Sequence, residues 1–255
     1  MQTNKDLAER IAQLPVFDNH CHMMDPAKAQ MTPLELAQCF YHGAGDIPFG
    51  EDGEYFWHKS PELMARLPGL GIVQTLVHRL SQRFGCEETL EAVAAERNRR
   101  TAVSYPKYIN EMYDEAKIFA TMVDAAGADD DPGMLLFPGV TLKTFQFDNA
   151  FDAGLAACDS FDALKLYYAD ELHRDYKINR AAAVKCHLAE RFGLNSPVVT
   201  DDDARNAFAA AKASDYNAMQ VVYVGLLQEA LLLCAELDIS IHFHTGMTGG
   251  PIRGL

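Results

Sequence analysis

Leu14-Pro15-Val16-Phe17-Asp18-Asn19-His20-Cys21-His22 is the stretch on which the fold turns. Leu7, Ile11 and Leu14 recur at helical spacing, which predicts a helix over residues 4–13 that Pro15 ends. Val16 to His20 is then short, apolar and β-prone, and predicts a first strand. Side chains alternate faces along a strand, so His20 and His22 point the same way and can grip one cation together. By the same parity Asp18 shares their face and is placed to hydrogen-bond an imidazole. A histidine pair of this spacing recurs by chance in unrelated proteins. Its weight here comes from its place at the C-terminal end of a first strand, where parallel α/β proteins build their sites.

Further strands follow at intervals. Lys117 to Asp124 (KIFATMVD) reads as a buried strand, and a third falls within 138–147. Ala182 to Leu188 reads as a fourth, with Lys185 in its middle. Burying a lone ammonium is expensive, so such a lysine pairs with an acid or gives up its charge, unless it reaches solvent at the strand end. Residues 239–244 make a fifth strand carrying His242 and His244. His244 is the better metal ligand of the two because Thr245-Gly246 turns the chain into a loop there. His242 lies two residues deeper on the same face.

Helices are predicted over 33–41, 61–67, 71–84, 87–101, 105–116, 149–173, 201–212 and 215–236. Gly225 inside the last suggests close helix packing. The irregular stretch 43–59 holds Tyr55, Phe56, Trp57 and His58, and is a candidate for a loop folding over a site. The order, apolar strands separated by helices, predicts one α/β domain over 1–255 built on a parallel sheet, with a loop and helical insertion at about 31–116.

The bulk properties agree with a globular protein. The 255 residues are 49% hydrophobic, enough for a sizeable core. A formal net charge of −14 repels phosphate backbones, so no nucleic-acid partner is expected. The six cysteines are scattered with no C-x-x-C pair, which suits reduced thiols in a cytoplasmic protein. Residues 1–6 lack the order of a signal peptide. No uninterrupted apolar run approaches roughly 18 residues, so no membrane partner is expected either.

Taken in order, Leu14 to His22, then Val184-Lys185, then His244-Thr245-Gly246 resemble the amidohydrolase superfamily, and more narrowly its amidohydrolase-related (type 2) branch. That branch includes metal-dependent hydrolases, decarboxylases of aromatic acids, and domains fused to glutamine synthetase. The resemblance implies a distorted, TIM-like (β/α)8 barrel. It implies His20, His22 and His244 as ligands of a divalent metal, Zn²⁺ before Mn²⁺ or Fe²⁺. Lys185 and Asp18 become the candidate catalytic groups. Lys185 is either carbamylated between two metals or unmodified and holding an anionic substrate group. Trp57, His58, His242 and Arg191 are candidates for contacting a small-molecule substrate, with Arg253 a further cation. The implied activity is hydrolysis of a small amide, ester or lactone, anionic or neutral, by a metal-activated water. The alternatives are a decarboxylase-like lyase or isomerase, or a non-catalytic remnant or half of a split barrel.

The resemblance covers about five strands, or the first two thirds of the family's barrel. The family's sixth-strand histidine and eighth-strand aspartate have no counterpart in these residues. Five parallel strands leave two open edges, so a homo-oligomer, a partner chain completing the barrel, or a truncated or disordered C-terminus is expected.

Overall fold

The apolar segments form β1 (Val16–His22), β2 (Ile118–Asp124), β3 (Val140–Gln146), β4 (Ala181–Cys186) and β5 (Ser240–Phe243). All pair in parallel and in chain order, β1-β2-β3-β4-β5. This computed structural model describes residues 3–40, 65–124 and 127–245. The chain divides into two compact units, one of residues 1–23 with 116–245, the other centred on 24–115.

The first unit holds the whole sheet, and the sheet curls. Four strand spacings of about 4.8 Å would set β1 and β5 about 19 Å apart if it were flat. Instead His242 on β5 and Lys185 on β4 both act electrostatically on His20 of β1. The result is a parallel half-barrel with helices outside it. The helices of this unit are α1 (Thr3–Ile11) before β1, and α6 (Phe147–Ala157) and α7 (Phe161–Ile178) between β3 and β4. Between β4 and β5 come α8 (Leu188–Arg191), α9 (Asp201–Lys212) and α10 (Tyr216–Leu237). Phe145, Val184 and Cys186 of the strands meet Phe151, Phe161, Leu164, Tyr168, Val222, Tyr223 and Leu226 of the helices in one apolar core. The opposite strand face is polar at its C-terminal end, and the chemistry gathers there.

The second unit contains α2 (Pro33–Phe40), α3 (Gly71–Phe84), α4 (Leu90–Val103) and α5 (Tyr105–Ala116). Arg97 ties it together from a buried position. Its guanidinium donates to the carbonyls of Lys28 at 2.7 Å and Ala29 at 3.2 Å.

Several boundaries differ from expectation, three of them near the core or the site. The helix expected over 149–173 is two helices, α6 and α7. Cys158 is extended, and the Ser160 hydroxyl accepts from Ala163 N to start α7 afresh. The fourth strand ends at Cys186, because His187 leaves the extended region and α8 begins at Leu188. The fifth ends at Phe243, although the His244 amide still donates to Cys186 O at 2.8 Å. α10 is long and apolar enough to cross a membrane by length and composition. Its Val222 to Leu227, Ala230 and Cys234 are buried in the protein core.

Candidate metal centre

The register of β1 decides what its histidines meet. Asp18 pairs with Thr121, Cys21 with Val123 and His22 with Asp124. Three steps on β1 thus answer two on β2, so β1 carries one extra residue between Asp18 and Cys21. Thr121 and Asp124 lie on opposite faces of β2, and the bulge therefore puts Asp18 and His22 on opposite faces. The shared face expected for Asp18 is corrected: alternation resets at a bulge. Asp18 instead accepts from the His20 amide at 3.3 Å through Oδ1.

His20 and His22 do converge. Their rings meet edge to face with centroids 5.1 Å apart. The third group beside them is Asp124, the last residue of β2. Ligand atoms of His20, His22 and Asp124 all lie within 4.8 Å of one another. Asp124 is fully buried and held on three sides. Thr144 Oγ1 and Gln146 Nε2 of β3 donate to its Oδ1 at 2.8 and 2.6 Å. Lys185 Nζ of β4 lies 2.9 Å from its Oδ2, the two side chains being 4% and 3% exposed. The buried lysine therefore does pair with an acid rather than reach solvent.

Burial alone would raise the Asp124 pKa. Its hydrogen bonds from Lys185, Gln146 and Thr144 outweigh burial and hold it at about 2. Burial and the Lys185 charge push His20 below its ordinary value, so its ring is neutral and offers a lone pair. Cys21, between the histidines, is pushed up to about 12 by burial and stays a thiol. A carboxylate offers about four lone-pair directions; Thr144, Gln146 and Lys185 occupy three. Two imidazoles and one remaining carboxylate direction form a donor set that suits a divalent cation.

The other expected residues are placed as follows. His242 sits beside Lys185 in the strand register, and its Nε2 lies 3.2 Å from Ser240 Oγ. Burial and Lys185 lower its pKa. His244 is not in the trio. Its ring stacks on His187 with centroids 5.4 Å apart, and its Nε2 stands 3.3 Å from Glu190 Oε1 without hydrogen-bond geometry. Arg191 pairs with Asp152 at 2.6 Å and Asp148 at 3.6 Å. Two carboxylates thus already balance its charge. Trp57, His58 and Arg253, with the loop 43–59, lie outside the described residues. Asp124, Thr144 and Gln146 were not singled out from the sequence, although polar residues closing apolar strands are the available signal.

A protein from Lactobacillus casei ATCC 334 described as a "putative metal-dependent hydrolase" has a similar fold. The two superpose with a TM-score of 0.63 over 94% of this chain at 17% identity. At that identity the likeness shows the fold alone. The present chain spans 60% of the length of that structure. No protein-family model and no curated protein matches the sequence.

Proposed function

We propose that this chain is a metal-dependent hydrolase of the amidohydrolase type, acting on a small amide, ester or lactone. The observation that carries the reading is the convergence of His20, His22 and Asp124 at the C-terminal ends of adjacent parallel strands. The fold shared with a protein described as a metal-dependent hydrolase supports it. In this reading Asp124 takes the third ligand place that the resemblance gives to His244. A divalent ion bound there would polarise the substrate carbonyl and acidify a water molecule.

The chain's own residues prepare that chemistry. Thr144 and Gln146 fix the Asp124 carboxylate in one orientation, and Lys185 keeps it ionised. The neutral His20 ring keeps its lone pair for a cation. His242 lines the same face and stands ready to contact substrate. Among the described residues the outer edges of β1 and β5 carry no further strand, and additional β/α structure there would enclose the substrate.

Elemental analysis of the purified protein is the test. We expect about one zinc, manganese or iron per chain, lost in the His20→Ala/His22→Ala and Asp124→Asn variants. Metal-dependent turnover should then appear in a panel of esters, amides and lactones. Carbon dioxide release from a carboxylate panel would favour the lyase reading instead. Activity that survives chelation and loss of both histidines would sink the metal mechanism.

A further inference from the structure

A second group of polar side chains gathers where β4 and β5 end, and the metal site gives it no role. Asp148, in the first turn of α6, is its centre. Asp148 Oδ2 accepts from the His187 backbone amide at 2.9 Å and lies 3.0 Å from His187 Nδ1. Its Oδ1 accepts from the Tyr223 hydroxyl of α10 at 2.8 Å. One carboxylate thus fixes both the backbone and the ring of His187.

An ionised carboxylate only accepts, so the bond to Nδ1 assigns the proton of the neutral ring to Nδ1 and leaves its lone pair on Nε2. Among the described residues Nε2 has no hydrogen-bond partner, and the side chain is 27% exposed. His187 follows Lys185 by two residues, a rise of about 7 Å along a strand. Lys185 acts on it electrostatically and itself holds Asp124. The open nitrogen therefore lies at the C-terminal end of the strand whose Lys185 holds Asp124.

We propose that His187 is the acid–base catalyst of this site, working through Nε2, with Asp148 as its positioning residue. The inference rests on the hydrolytic reading above and deepens it. Nε2 takes one proton from the attacking water as the water oxygen bonds to the carbonyl carbon. The imidazolium keeps its Nδ1–H on Asp148. Its Nε2 proton then passes to the leaving nitrogen or oxygen as the C–N or C–O bond breaks, which restores the neutral ring. No electrons are gained or lost.

The surroundings suit this role. Asp148 from α6 and Glu190 from α8 favour the charged ring, while burial and Lys185 from β4 oppose it. The Asp148 bond is the strongest of these influences and raises the His187 pKa. Arg191 and Tyr223 face Asp148 rather than the ring, and His244 stacks against it.

The experiment compares wild type, His187→Gln and Asp148→Asn on p-nitroacetanilide and p-nitrophenyl acetate, with metal content measured for each. The anilide needs its leaving nitrogen protonated; nitrophenolate does not. His187→Gln should keep its metal and its KM while kcat on the anilide falls about 10²–10⁴-fold, with a smaller loss on the ester. Asp148→Asn should shift the acidic limb of the pH profile to lower pH, because it removes the bond that raises His187. A fully metallated His187→Gln with kcat within about twofold of wild type on the anilide overturns the proposal and leaves the metal reading standing. If wild type turns over neither probe with any added metal, the hydrolytic reading fails instead. Long-range ¹H–¹⁵N correlation spectra then decide for His187. Above the His187 pKa, where the ring is neutral, the proposal requires Nδ1–H with a bare Nε2, and a neutral ring carrying its proton on Nε2 overturns it.

Discussion

Asp124 and Lys185 form a buried ion pair, and removing one partner leaves the other charge uncompensated in the interior. Asp124→Asn should therefore lower stability by about 3–5 kcal/mol. Adding Lys185→Met should restore part of that loss, since no buried charge remains. Urea unfolding of the three variants measures both. The pair also sets an acid limit. Asp124 sits at about 2 in the fold against an ordinary 3.8, so the unfolded chain binds the proton more readily. Its contribution is complete above about pH 4 and is lost as pH falls toward 2, amounting to roughly 2 kcal/mol. In chelator-treated protein the urea midpoint of wild type should fall over that window, and that of Asp124→Asn should fall less. His20, His22 and Lys185 were legible in the sequence because each is a polar residue breaking an apolar strand. Asp124 is the same kind of residue, but it reads equally well as the start of the turn at Ala125-Ala126-Gly127. Only the neighbouring strands show that it faces both a lysine and a histidine pair.

Among the elements, α9 and α10 were the most legible, because their ends are written in local chemistry. Thr200 and Asp203 form a reciprocal capping box for α9, and Asp215 caps α10. Gly225 marks where these two helices meet. A Cβ there would stand 2.9 Å from Ala204 Cβ and 3.1 Å from Phe161 Cζ. Gly225→Ala gains about 1 kcal/mol of helix propensity but overpacks a buried contact, which costs about 1–3 kcal/mol. We expect a net fall in melting temperature, checked by calorimetry. A rise would mean that the helices part easily. The break between α6 and α7 was missed because apolar spacing runs through Cys158–Ser160 almost unchanged. The Ser160 cap competes with helix continuation, and tertiary packing of Gly154 against Leu164 and Tyr167 settles the outcome.

For the molecule as a whole, the candidate ligand trio draws on β1 and β2, which lie far apart in sequence but side by side in one unit. Metal binding should therefore stabilise the sheet. Zinc at a hundred times its Kd adds about 2.7 kcal/mol. The slowest amides of β1, β2 and β4 should then exchange about a hundredfold more slowly in hydrogen-exchange mass spectrometry. Unchanged exchange in these strands would place zinc elsewhere. Strand and helix order, the parallel α/β class and the histidine pair were determined by the sequence itself, because they follow from periodicity, caps and turn residues within a few positions. The tertiary structure alone decided the third member of the trio, the partner of Lys185, the face on which Asp18 lies and the Asp148–His187 pair. Those depend on register, on one bulge in β1 and on curling of the sheet, and each is set by packing between segments a hundred or more residues apart or by neighbours across the sheet.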